Sequence, residues 1–428
     1  MACAPPTAEP SAFFYEKDSG REDGTGDSGV IRDAPQQLLV EVLAKELEKN
    51  YSFALFVAER GTATKEVVYV LERQGFIRPH MADENDKRTI YMVDMHEPLM
   101  FLHNLDTTIK EPFASNPAVL DAVEKNHKKL QIAMTKLYPG NLVLSLSSGI
   151  MYHRLVDRIT ALNDVPREPL VPRRLGKNMC VPFGKILRGK VVPNTVTKTL
   201  HTDKVYEPDL NSFTIEPFPY YSPLKSQIET IKSFDRPVIL VDDLVHTANR
   251  LQVLVPQLRE DGIPIKKVVV GVLSGYGRDL MQCLKVPVES IYSMPNLRQW
   301  FVESTLYPFI GGDTVRREEM KVAGLQPSIN MILPYATPRL SGCSREALVE
   351  FSACCIENSR DLFQVLEAEY RKMYAKNLTL SRLSEAVILP LCPDKGSCME
   401  YDENLAASVY LENDLETLWR MKEFLIKG

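Results

Sequence analysis

The chain has 428 residues, 44% hydrophobic and 25% charged, with a formal net charge of −5. That length admits two or three domains of roughly 150 residues, and the composition supplies a sizeable buried core. The negative balance argues against a protein that coats nucleic acid through bulk charge. No apolar run approaches the roughly 20 residues needed to span a bilayer. The first residues, MACAPPTAEPSAFF, carry no basic segment leading into an apolar one, so no secretory signal is read and a cytoplasmic protein is expected. The eight cysteines form no C-x-x-C and read as reduced thiols.

Residues 1–35 are rich in Pro, Gly, Ser and acidic residues and read as a disordered tail. Order is expected to begin in PQQLLVEVLAKELEKN, where Leu38, Leu39, Val42, Leu43 and Leu47 make a helical stripe. A strand over 53–58, a helix over 63–74 stopped at Gly75 and a strand over 89–94 make a small α/β unit within 36–115. PAVLDAVEKNHKKLQIAMTKL predicts a helix over 117–137. NLVLSLSSGIMYHRLVDRI predicts a strand over 142–146, a small-residue turn at Ser147, Ser148 and Gly149, and a second helix. Residues 178–222 mix Pro, aromatic and β-branched residues and predict β-ribbon and loop.

Beyond them, the pattern predicts a helix over 223–233, a strand from 238, a helix over 249–260, a strand over 266–273, a helix over 276–284 and a strand over 287–292. This alternation implies a parallel α/β sheet in a domain over 116–310. Residues 311–428 read as mixed, then mostly helical, with SREALVEFSACCIENSRDLFQVLEAEYRKMY the longest periodic run and a last helix at 413–426.

The segment VILVDDLVHTANRL (238–251) carries the most chemistry. VILV is apolar without alternation, as in a strand buried on both faces. Such sheets bind ligands just outside the carboxyl ends of their strands. Asp242 and Asp243 stand at that expected end and can accept hydrogen bonds from a diol or hold a divalent ion through water. The following turn, with a helix N-terminus behind it, can bind an anion, with Thr247 adding a hydroxyl and Arg250 a positive charge. The competing reading is an acidic pair that only ends a strand and caps the next turn.

VILVDDLVHTANR resembles the signature of type I phosphoribosyltransferases: four apolar residues, two acids, two apolar residues and a phosphate loop. By layout the resemblance covers about 117–310. It implies an α/β parallel-sheet core in which Asp242 and Asp243 bind the ribose hydroxyls of phosphoribosyl pyrophosphate and His246, Thr247, Ala248, Asn249 and Arg250 wrap the 5-phosphate. The loop departs from the family: it has no glycine, His246 is bulky, and Arg250 replaces a small hydroxyl residue. Ala248 is a small substitute, and Asn249 tolerates left-handed backbone. In the resembled fold, Ser147, Ser148 and Gly149 would meet pyrophosphate through backbone amides. An ordinary strand-to-helix turn explains those residues as well.

FGKILRGK supplies Lys185, Arg188 and Lys190, which would close over pyrophosphate or form a solvated basic hairpin. LSGYGRDLM offers Gly275, Gly277 and Arg278 at the same sheet edge, and RQWFVE offers Trp300 and Phe301 for base stacking or core packing. Residues 53–94 also resemble the second half of a GNAT acetyltransferase domain, on "LE-x-x-GF" before a strand. The upstream sequence lacks the Gly-rich loop that would hold acetyl-CoA. The seven histidines are scattered, and their spacing gives no metal cluster.

A phosphoribosyltransferase-like protein is therefore expected, binding phosphoribosyl pyrophosphate or a nucleotide, with Mg²⁺ arriving on the substrate near Asp242 and Asp243 rather than on dedicated ligands. Transfer of phosphoribose to a nitrogenous acceptor, sensing without turnover, and a scaffold with a degenerate site all remain open. A small-molecule ligand and a homo-oligomer are the expected partners, with no membrane and no nucleic acid.

Overall fold

A computed structural model describes residues 53–56, 77–83, 86–93 and 98–427, apart from 139–141, 173, 185, 188–189, 220, 318–321, 323, 339, 341 and 396–400. The tail expected over 1–35 and the helices expected near 38–47 and over 63–74 lie outside the described residues.

Among the described residues, three sheets organise the chain. Four parallel strands form the first, in the order β1 (Phe53–Phe56), β5 (Leu142–Ser147), β4 (Leu99–His103) and β13 (Gln299–Val302). The second runs β2 (Ile77–Asp83), β3 (Asp86–Val93), β12 (Val288–Met294), β11 (Ile265–Ser274), β10 (Val238–Val245), β6 (Met179–Pro182) and β7 (Val196–Thr197). All its pairings are parallel except the β2–β3 hairpin. A mixed five-stranded sheet joins β16 (Leu391–Pro393), β15 (Gln326–Ile329), β14 (Asp313–Val315), β8 (Thr202–Tyr206) and β9 (Phe213–Pro217). This is the α/β architecture, parallel-dominated with a helical C-terminal region, that the sequence pattern implies.

The helices are α1 (Pro117–Leu137), α2 (Ser148–Leu162), α3 (Leu224–Lys232), α4 (Asn249–Glu260), α5 (Gly275–Cys283), the single turn α6 (Glu303–Leu306), α7 (Arg345–Tyr374) and α8 (Ala407–Lys427). The start of α1 is fixed locally. Asn116 Oδ1 accepts from the Ala118 amide at 2.9 Å, and Pro117 takes the first helical position, where no N–H is needed.

Side-chain alternation sorts the layers. In β4, Leu99 and Phe101 face one apolar core, while Met100 and Leu102 face another. The second core lies between the two parallel sheets. Met151, Leu155 and Ile159 of α2 fill it against Ile239, Val241 and Val269. On the far face of the seven-stranded sheet, Leu240 and Val268 meet Ile228 of α3, Leu254 and Leu258 of α4 and Met281 of α5. Each such side chain, fully buried, contributes about 1.5–3 kcal/mol. Beyond the four-stranded sheet, α1, α7 and α8 close the core that Leu99 and Phe101 face, around Leu130, Tyr307, Phe309 and Phe363. There Asn126 and Asn358 are bonded reciprocally. Asn126 Nδ2 donates to the Asn358 carbonyl at 2.6 Å, and Asn358 Nδ2 to the Asn126 carbonyl at 2.8 Å.

One expectation for the N-terminal region needs correction. The β-α-β reading of 53–94 fails because β1 and β3 belong to different sheets. Strands β2 and β4 were not expected at all; β4 is a short apolar run, LMFLH, with no alternation to mark it. The strands of 36–115 pair with later ones: β1 with β5, β3 with β12, and β4 with both β5 and β13.

Candidate functional site

Strand β10 sits between β11 and β6, and Val238 to Val241 are wholly buried. The strand does not end on its acids, as the sequence suggested. Pairing continues past Asp242↔Val270 to Val245↔Leu273, because Leu244 and Val245 are themselves buried. The two carboxylates are unequal. Asp242 is 4% exposed, whereas Asp243 is half-buried. Burial first, and then the Asp243 charge, push the Asp242 carboxyl well above its usual range, with Arg250 pulling the other way. Arg250 Nη1 lies 3.9 Å from Asp242 Oδ2, and its buried Nε has no partner. Asp242 Oδ1 accepts from the Asp243 amide at 2.9 Å, and Asp243 Oδ1 from the Leu244 amide at 2.8 Å.

The residues after the strand form a tight turn into α4. Ala248, not Asn249, takes the left-handed conformation, at φ +50°. It occupies the N-cap without a side-chain acceptor for the helix amides. A glycine would adopt this conformation freely, whereas an L-residue is strained there by about 1–2 kcal/mol. Asn249 Nδ2 donates to Thr247 Oγ1 at 2.8 Å, and Gln252 Nε2 donates to the Thr247 carbonyl at 3.0 Å. His246 Nδ1 meets Ser274 Oγ at 2.8 Å, and burial lowers the imidazole pKa.

The neighbours of β10 complete the edge. β6 is parallel to it, and the backbone after β6 folds over Asp242. A Cβ built on Gly184 would fall 1.6 Å from Asp242 Oδ1, so any side chain there must displace the carboxylate. This stretch leads into the basic segment. Lys185 and Arg188 lie outside the described residues, while Lys190 places Nζ 4.3 Å from the Tyr152 ring of α2.

Ser147, Ser148 and Gly149 follow a strand of the other parallel sheet. Ser147 Oγ accepts from the Gly149 amide at 3.1 Å, and the buried Ser148 Oγ has no partner. Met151, one turn on, reaches the acidic strand. A Cβ on Gly271 of β11 would strike both Met151 Sδ and the Asp243 carbonyl.

Gly275 and Gly277 are explained by packing. A Cβ on Gly277 would lie 2.3 Å from the Val245 carbonyl oxygen, and one on Gly275 would lie 2.6 Å from that of Pro295. Arg278 is exposed and 3.7 Å from its neighbour Asp279. Phe301 is buried against Phe351, and Trp300 is partly exposed.

A second polar cluster lies at the carboxyl edge of the four-stranded sheet, and no sequence spacing announced it. His103 ends β4, Glu303 follows β13, and His127 comes from α1. His103 Nδ1 is 3.1 Å and His127 Nδ1 3.3 Å from Glu303 Oε2. Glu303 is 1% exposed, and its Oε1 accepts from the Tyr307 hydroxyl at 3.2 Å. Burial, and then His127, lower the His103 pKa well below the usual value. The only sequence signal is that β4 and β13 each end in a chemically capable residue, and that becomes visible only once the two strands are known to pair.

No family model matches the sequence, and no curated protein matches it. A solved structure, a purine phosphoribosyltransferase from Pyrococcus horikoshii Ot3, overlaps 40% of this chain and 90% of its own, at 11% identity and a TM-score of 0.20. Among the described residues, no helix is long and apolar enough to cross a membrane.

Proposed function

We propose that the carboxyl edge of the seven-stranded sheet binds the phosphoribosyl group of phosphoribosyl pyrophosphate or of a nucleotide. The observation that supports this most is the acidic pair on an interior parallel strand, followed by a left-handed turn into α4 at Ala248, five residues past Asp243. Asp243, the more accessible carboxylate, orients the ribose hydroxyls, and Asp242 backs it. Residues His246 to Arg250 wrap the 5-phosphate at the start of α4, where free amides and the helix dipole favour an anion.

Lys185 and Arg188, with Ser147, Ser148 and Gly149, hold the pyrophosphate. Magnesium enters as part of the substrate. The carboxylate oxygens of the acidic pair suit a hard ion that keeps most of its water. Where transfer follows, the bond from the anomeric carbon to pyrophosphate breaks and an acceptor nitrogen takes that carbon. The protein contributes alignment and charge neutralisation. The strained Ala248, in place of a glycine, favours a second reading, a sensor that binds without turnover.

Calorimetry of the full chain with magnesium and phosphoribosyl pyrophosphate tests this. Wild type is expected to bind, and Asp242→Asn/Asp243→Asn to weaken binding more than tenfold. Absence of binding by folded wild type sinks both readings and leaves a scaffold. Pyrophosphate release across a panel of nitrogenous bases separates the transferase from the sensor.

A further inference from the structure

We propose that His103, His127 and Glu303 hold a divalent transition-metal ion of the zinc class at the carboxyl edge of the four-stranded sheet. This site lies on the other parallel sheet, where His103 pairs with Ser147 of the turn proposed above for pyrophosphate.

Fold and register bring the three residues together. Strands β4 and β13 are adjacent and parallel, with Leu102 paired to Val302. The next residues of each strand, His103 and Glu303, therefore emerge side by side. Helix α1 supplies His127. Ligand atoms on a tetrahedral ion with bonds of about 2.0–2.1 Å stand about 3.3 Å apart. Here the two Nδ1 atoms lie 3.1 and 3.3 Å from Glu303 Oε2, and all three atoms fall within 4.8 Å of one another. Both nitrogen-to-oxygen distances match that spacing, and the two imidazole rings, with centroids 2.8 Å apart, must separate for the ion to enter between them. Two imidazoles and one carboxylate suit zinc-like ions better than calcium or magnesium, which take mainly oxygen.

The surrounding groups orient each ligand. Tyr307 holds Glu303 Oε1 and is held in turn by Asn358 Nδ2 at 2.9 Å, which leaves Oε2 turned towards the histidines. His103 Nε2 is hydrogen-bonded to Ser145 Oγ. His127 Nε2 meets the Gln131 amide at 2.7 Å. Gln131 is 2% exposed, and its Oε1 has no partner. Turning that amide over brings Oε1 to His127 Nε2–H, the tautomer whose Nδ1 is free to coordinate. The flip satisfies the oxygen, gives up the amide's donation to Ser145 Oγ at 3.0 Å and leaves the nitrogen in the unpartnered position.

Glu303 is sealed, but the His103 and His127 side chains are 13% and 19% exposed. A fourth position therefore opens towards solvent and admits water or an anionic ligand, the arrangement of reactive rather than purely structural sites.

The rival arrangement has no ion, with both imidazoles donating Nδ1–H to Glu303. The full chain, stripped with a chelator and dialysed, is titrated with Zn²⁺ by calorimetry and with Co²⁺ by visible absorption. The expected result is one equivalent bound, with the intense visible bands of a four-coordinate cobalt site. His103→Ala and Glu303→Gln should each weaken binding at least ~100-fold, and Gln131→Ala roughly 10-fold, as partners behind metal ligands commonly do. Circular dichroism monitors folding. His127→Asn, at the most exposed ligand, serves if Glu303→Gln does not fold. Absence of binding by folded wild type overturns the proposal, as does binding that the folded ligand variants leave unchanged.

Discussion

Asp242 and Glu303 are both carboxylates sunk at the carboxyl ends of parallel strands, yet their surroundings treat them in opposite ways. Glu303 faces three polar side chains, His103, His127 and Tyr307. Asp242 receives one backbone amide, stands 3.9 Å from Arg250, and sits under Gly184 beside a second acid. The first has side-chain partners on both carboxylate oxygens. The second is held at the cost of its charge, and burial pushes it towards the neutral form. A buried charge is tolerated when paired and disfavoured when it is not, so the poorly paired acid is the stronger sign of a ligand that arrives from outside.

Substitutions can break this contrast. In chelated protein, Glu303→Ala should lower stability by about 3 kcal/mol, because two imidazoles and a phenol lose their buried acceptor. The midpoint of urea denaturation reads this, and a loss below ~1 kcal/mol would mean the network is incidental. Gly184→Ala should cost about 2 kcal/mol through overpacking against Asp242, and the same variant should bind phosphoribosyl pyrophosphate more weakly.

The smallest effect has the opposite sign. Asp242→Asn should raise stability by about 1 kcal/mol at neutral pH, since it removes a poorly paired buried charge, while it weakens ligand binding. The folded-state pKa of Asp242 lies above its ordinary value of 3.8. The folded state therefore holds the proton more tightly, and this residue's contribution to stability falls as pH rises from that value through the raised one. The advantage of the variant should accordingly be absent at acid pH and grow across that window. A pH-independent difference would contradict the assignment.

Legibility in the sequence followed the range of the interactions involved. The ends of α1 and α4 fall where the pattern placed them, 117–137 and 249–260, because capping and periodicity are local. The turn after β10 was legible as a left-handed site, but the choice between Ala248 and Asn249 needed the backbone. Sheet membership was not legible. Nothing around Ser147 records that β5 pairs with β1 and β4 rather than with β10. His103 and Glu303 lie 200 residues apart, so their meeting depends on strand register that no motif encodes.

The reciprocal amide pair of Asn126 and Asn358 bears on how the protein can be shortened. Asn358 stands on α7 and donates to Tyr307, which steadies Glu303. A truncation after Tyr307 would keep every proposed metal ligand and still strip the layer behind them, leaving the Asn126 carbonyl without its donor and the Tyr307 phenol without Asn358. Limited proteolysis that removes the C-terminal helices should thus disturb an edge of the molecule that those helices never touch through a ligand of their own.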